Sequence, residues 1–174
     1  MAETVRHWED VRGYTLDSQA EAQLLSRQTE CTFIWSNQQG HPVGVIMNFI
    51  FRSGSFWLTA SDLRKRISAV RRDARVSLAI SSLGSGIEAR RSLTYKGTCA
   101  VHVDEATKAW FYPEFAAAMR PDEPRRAEAF RTQLDSPQRV VLEVRPEGRI
   151  GFDGDKMWRA SPDQAGPATA PSGN

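Results

Sequence analysis

Between Cys31 and Val103 the chain alternates short runs rich in β-branched and aromatic residues with polar or glycine-containing breaks. This alternation constrains the fold more than any other feature. Runs this short are strands, and breaks this short leave room only for hairpins. The runs are Cys31–Ser36, Pro42–Phe51, Phe56–Ala60, Arg75–Ser81 and Leu93–Val103, the last expected to bend at Gly97. Arg139–Arg145 reads as a sixth strand, with a turn at Pro146-Glu147-Gly148 and Arg149–Phe152 pairing behind it. Helical signals are fewer. Asp17 or Ser18 caps a helix running to about Glu30, with Ala20, Leu24, Leu25 and Gln28 near one face. Ser61 or Asp62 caps a second, whose apolar stripe is Leu63, Ile67, Val70 and Ala74. Asp104 caps a third that stops at Pro113, with further helix over Glu114–Met119 and Asp122–Leu134. Six strands joined mostly by tight turns, with helices late and in a block, predict a mainly β, α+β chain. Its expected form is a small antiparallel barrel with peripheral helices.

With 174 residues the chain is long enough for one domain with a real core, placed at 1–159. Residues 160–174 carry three prolines and no aromatic, and are expected to be a disordered tail. No apolar run approaches the roughly 20 residues of a membrane span, and the polar start has no signal-peptide core, so the expected location is cytoplasmic. Cys31 and Cys99 form no CxxC pair, and the three histidines add no metal-ligand spacing. Gly84-Ser85-Gly86 lacks the strand–turn–helix setting of a nucleophile elbow.

The strongest local signal is Phe56-Trp57-Leu58-Thr59-Ala60-Ser61-Asp62-Leu63-Arg64-Lys65-Arg66. A strand ends in hydroxyl residues and a helix opens at once with three cations. Helix N-termini present free N–H groups and suit anions, yet cations there oppose the helix dipole. A bound phosphate would offset that cost. Arg64 offers a two-pronged grip, Lys65 a point charge, and Thr59 and Ser61 hydroxyl donors. The plainer alternative is a solvated basic face continuing through Arg71, Arg72 and Arg75. Nucleic acid is disfavoured, because no aromatic series is interleaved with these cations.

The run HPVGVIMNFIFRSGSFWLTASDLRKRISAVRRDARVSLAIS, His41 to Ser81, resembles the pyridoxamine 5′-phosphate oxidase-like superfamily of flavin-binding split barrels. Leu93-Thr94-Tyr95-Lys96-Gly97-Thr98-Cys99-Ala100-Val101 is similar to a later strand of that family. The resemblance implies a six-stranded antiparallel split β-barrel and a homodimer with cofactor at the interface. It implies that Val43, Val45, Met47 and Asn48 pass along the flavin ring with their backbone groups. Thr59, Ala60 and Ser61 would flank the ribityl-phosphate, and Arg64 and Lys65 would hold the phosphate. Ser81 and Ser92 would add polar contacts, and Trp158 would either reach the partner's cofactor or anchor the barrel. Phe49, Trp57 and Tyr95 are open between pocket and core.

Val43 and Asn48 stand where the oxidase itself is basic, and the C-terminal substrate pattern of that enzyme is missing. The implied activity is therefore a broader one, hydride transfer to or from a small organic substrate. FMN is the first choice of cofactor, because it needs fewer contacts. Coenzyme F-420 is the alternative, with Arg66, Arg71, Arg90 and Arg91 available for its anionic tail. The rival class is a flavin or haem carrier without turnover.

Overall fold

The computed structural model describes residues 10–161, so the tail expected from position 160 lies almost wholly outside the described residues. After a single 3-10 turn come α1 (Ser18–Arg27), β1 (Glu30–Ser36), β2 (Pro42–Asn48), β3 (Ile50–Arg52), β4 (Ser55–Ser61) and α2 (Lys65–Arg72). Then follow β5 (Arg75–Ser81), β6 (Arg91–His102), α3 (Glu105–Met119), α4 (Pro124–Leu134), β7 (Arg139–Asp153) and α5 (Gly154–Ala160). All strand pairs are antiparallel, in one seven-stranded sheet of order β2-β1-β5-β6-β7-β4-β3. The sheet curls into a half-barrel. Its two ends, β2 and β3, each keep one unpaired edge.

The strand count is seven, where the sequence predicted six. The run Pro42–Phe51 breaks at Phe49, whose N–H bonds the Thr29 carbonyl at 2.9 Å while its ring packs edge-on to Phe56. Phe49 is 1% exposed, so burying that ring outweighs continuing the ladder. The turn expected at Pro146–Gly148 is absorbed into one long strand, β7, against β6, with a register shift between Lys96 and Gly97. Gly97 is needed there for space, because a Cβ would stand 2.1 Å from the Arg145 carbonyl oxygen.

Alternation fills the barrel: Phe33, Phe56, Leu58, Leu78, Ile80, Leu93, Leu142 and Val144 are all within 2% of full burial. Asp17 caps α1 through the Ala20 N–H, and α1 seals one end of the barrel with Ala20 and Leu24. A second apolar cluster lies outside the barrel. There α3 and α4 cover β4 and β7 with Phe111, Tyr112, Phe115 and Leu134 on Val141 and Trp57. Asp104 caps α3 as expected, through the Thr107 N–H at 2.8 Å. The helix nevertheless runs through Pro113. Buried aromatics on both sides of the proline hold it against a cost of roughly 3 kcal/mol.

The α2 stripe also differs from expectation. Residues 62–64 form a turn, held by Asp62 N–H to the Gln138 carbonyl at 2.7 Å and Arg64 N–H to the Ser61 carbonyl at 3.0 Å. The helix starts only at Lys65 and buries Ile67, Ala69 and Val70. Leu63 is left 76% exposed, and Ala74 is exposed beyond the helix end.

Candidate functional site

The first turn of α2 is the most distinctive polar feature of the surface. No side chain caps the helix: Arg64 occupies the cap position and makes no capping hydrogen bond. The Ile67 N–H, which stands where Ala20 and Thr107 meet their aspartate caps, bonds the Arg64 carbonyl at 2.8 Å, so the first turn is closed by backbone and brings no carboxylate to the helix start. Among the described residues, Arg64 and Lys65 are exposed and make no ion pair. Other cations of the run are engaged. Arg71 pairs with Asp62 at 2.6 Å, Arg75 grips Asp73 through two side-chain bonds, and Arg72 bonds the Ser36 carbonyl at 2.8 Å. The solvated-face alternative thus describes the far end of α2 but not its start.

Two further residues join the start of α2. Arg139 opens β7 directly opposite Ser61, so the two side chains share the outer face of the sheet. Arg66 is half-buried, and its Nε is buried without a hydrogen-bond partner. Burial and the positive charges of Arg64 and Arg139 lower the Arg66 pKa. Sequence reasoning gave Arg139 no role, because the pairing of Ser61 with a residue 78 positions later leaves no local signal.

The expected site residues fall into several places. Lys65 and Val43 line one cavity of about 440 Å³, together with Trp35, Gln38, Ser68 and Arg72. Val43 and Val45 are half-buried against the core, Met47 is buried, and Asn48 is exposed with its amide on the Thr29 carbonyl. β2 pairs only with β1, so its outer row of backbone groups is free to meet a ligand. Thr59 faces outward under α3, donating to the Val140 carbonyl at 3.0 Å, beside the unpartnered Tyr112 hydroxyl. Ala60 points into the barrel at 2% exposure, so only its backbone can serve a site. Ser61 accepts from the Leu63 N–H with its hydroxyl oxygen.

Ser81 and Ser92 face each other across β5 and β6 and line a different cavity, of 750 Å³, with Arg90, Arg91, Ile87 and Phe152. Of the cations considered for a cofactor tail, Arg90 and Arg91 sit at this second cavity, Arg91 beside Asp153 and bonded to Gln23, while Arg66 and Arg71 lie on α2, Arg71 held by Asp62. Trp158 is 55% exposed on α5, which follows the other end of β7 from Arg139. Phe49 and Tyr95 are core residues, and Trp57 belongs to the cluster under α3.

No protein-family model and no curated protein matches the sequence. Solved structures do share its fold. One is a conserved hypothetical protein of Mycobacterium tuberculosis, 16% identical over 91% of this chain and 97% of that one, TM-score 0.69. Another is a FAD-binding protein of Mesorhizobium loti, 14% identical over 80% and 96%, TM-score 0.61. A third is a haem storage protein of Vibrio cholerae, 12% identical over 79% and 94%, TM-score 0.59. An F420 reductase shares it too, 17% identical over 78% and 98%, TM-score 0.53. The fold is thus the split barrel of pyridoxamine 5′-phosphate oxidase-like proteins. At these identities the likeness extends to the fold alone, and among these relatives the bound group differs.

Proposed function

We propose that the chain is an oxidoreductase that binds a ring–ribityl–phosphate cofactor, FMN or F-420, and acts on a small organic substrate. One observation carries the reading: α2 starts without a side-chain cap, with Arg64 and Lys65 free of carboxylate partners and Lys65 lining one cavity with Val43 of β2. These residues fit a phosphate, because cations without carboxylate partners at the positive end of a helix are what a phosphate dianion satisfies. The cofactor, once bound, supplies the hydride chemistry. Arg64 and Lys65 hold its phosphate and Ser61 adds a hydroxyl. The free edge of β2 along Val43, Val45, Met47 and Asn48 orients the ring with backbone groups. Thr59 and Ala60 serve by fixing the end of β4, one through its bond to Val140 and one through core packing.

A homodimer belongs to this reading. The sheet registers align Ile46, Thr32, Ala79, Thr94 and Ile150 into one row across five strands. The end residues of that row, Ile46 and Ile150, are 66% and 64% exposed. An outer sheet face that leaves two isoleucines exposed at the ends of one row supports docking of a second copy. Ser81, Ser92 and Trp158 lie toward the end of this face away from α2, where they would meet the partner's ligand rather than their own.

Visible absorption of the protein as purified tests the reading. A flavin or deazaflavin band that a reductant bleaches is the expected result. A haem band, or no chromophore together with no binding of FMN or F-420 on titration, would overturn it. No helix among the described residues is long and apolar enough to cross a membrane.

A further inference from the structure

The cations at α2 divide onto two flanks of its first turn. Lys65 and Arg72 line the cavity against Trp35 and Gln38. Arg66 lies on the other flank with Arg64 and Arg139. The backbone fixes that second group tightly. Ser61 and Arg139 are direct partners in the sheet, Asp62 N–H bonds the Gln138 carbonyl, and Arg64 N–H bonds the Ser61 carbonyl. Backbone pairing thus brings Arg64 and Arg139 to one strand end, and the charges of both act on Arg66. The acids nearby do not neutralise them. Asp62 is taken by Arg71, and Asp135, exposed at the end of α4, makes no ion pair among the described residues. Arg66 meanwhile keeps a buried N–H without an acceptor. A single phosphate on Arg64 and Lys65 leaves Arg66 and Arg139 uncompensated. Buried donors and gathered like charges are both costly unless an acceptor arrives.

We propose that the start of α2 holds two anionic groups, the second on Arg64, Arg66 and Arg139, so that the ligand carries a further phosphate or carboxylate beyond its first phosphate. This rests on the reading that α2 takes the cofactor phosphate, and it puts F-420 ahead of FMN, the reverse of the order expected from the sequence. A dinucleotide diphosphate and an anionic F-420-type tail share the required chemistry. FMN lacks it.

The experiment follows thermal stabilisation of the protein by inorganic phosphate and by pyrophosphate at matched ionic strength. The variants are Arg139→Gln, Arg64→Gln and, as a control outside the cluster, Arg71→Gln. Pyrophosphate is expected to bind at least about tenfold more tightly than phosphate, one well-made charged hydrogen bond being worth that much. Arg139→Gln removes most of that advantage and Arg71→Gln does not. If Arg139→Gln disturbs folding, Arg139→Lys, which keeps the charge and loses the two-pronged grip, reads the same subsite. Equal affinity for the two anions, or equal loss in all variants, overturns the proposal in favour of a diffuse basic surface. Titration with FMN, FAD and F-420 then separates the sources. Arg139→Gln is expected to weaken FAD or F-420 binding more than FMN binding, and the tighter of the two names the source. Pyrophosphate binding through Arg139 with no flavin bound would sink the cofactor reading and keep the two-anion site. FMN binding as tightly as both others, with Arg139→Gln silent, would do the reverse.

Discussion

Gly97→Ala is expected to be among the most damaging single-methyl changes in the chain. An alanine Cβ at this position would stand 2.1 Å from the Arg145 oxygen, 2.9 Å from its carbonyl carbon and 3.1 Å from the Pro146 Cα. Real Cβ atoms essentially never come within 3.0 Å of such neighbours, so the β7 backbone must retreat by about 0.9 Å, the gap between those two distances. No side chain can swing away, because all three neighbours are backbone. The register shift between Lys96 and Gly97 is built around this approach, and twelve rungs of the β6–β7 ladder depend on it. Overpacking usually costs about 1–3 kcal/mol, and a backbone clash belongs at the upper end or above it. For a domain of this size about 3 kcal/mol lowers Tm by roughly 6–12 °C. Gly148→Ala is the control: it lies across the same bulge, and its Cβ would meet only the Lys96 Cε at 3.9 Å. Thermal and urea unfolding of both variants measures the difference. A Gly97→Ala protein no less stable than Gly148→Ala would refute the steric account of the register shift.

If the proposed dimer docks through this face, Ile46→Asp gives a monomer by light scattering with Tm little changed, because Ile46 is exposed within one chain; each isoleucine lost from such an interface is worth about 1.5–3 kcal/mol. An unchanged mass would remove this face from the interface. Burial pushes the Cys31 and Cys99 thiols up to about 12, so neither should react with a thiol reagent at pH 8 until the protein unfolds, and fast labelling of the folded protein would contradict the core placement. Burial of Glu143 opposes its charge, but bonds from Arg145, Ser55 and His102 outweigh it and hold its pKa below the usual carboxylate range. The stability it contributes is then present above its unfolded value and lost as pH falls through its folded value. Glu143→Gln should therefore cost about 1–3 kcal/mol at pH 7 and progressively less in acid, and a pH-independent difference in urea unfolding would sink that assignment.

What the sequence made legible was local. The caps Asp17 and Asp104 act within their own first turns, and the alternation of β5 is visible in Val76, Leu78 and Ile80. Gly97 marked the place of the register shift in β6. The misreadings share a physical cause, competition from distant packing. Phe49 leaves the ladder because Phe56 offers its ring a buried partner, and Pro113 stays helical because Phe111, Tyr112 and Phe115 are pinned on β4 and β7. Of the candidate site, Arg64 and Lys65 were legible as cations at a helix start. Arg139 was not, since only the β4–β7 register brings it to Ser61. Ala60 shows the opposite case. The period of Phe56, Leu58 and Ala60 already pointed it inward, while the family resemblance placed it beside a phosphate.

The central claim is that the start of α2 grips a cofactor phosphate. Titration of the protein with FMN and with F-420, followed by cofactor fluorescence, in the parent chain and in Arg64→Ala, Lys65→Ala and Arg71→Ala, tests it most directly. A charged hydrogen bond is worth roughly 1.5–3 kcal/mol, so the account predicts at least about tenfold weaker binding for each of the first two variants and little change for Arg71→Ala, whose guanidinium is held by Asp62. Saturable binding of neither cofactor, or equal losses in all three variants, would contradict it.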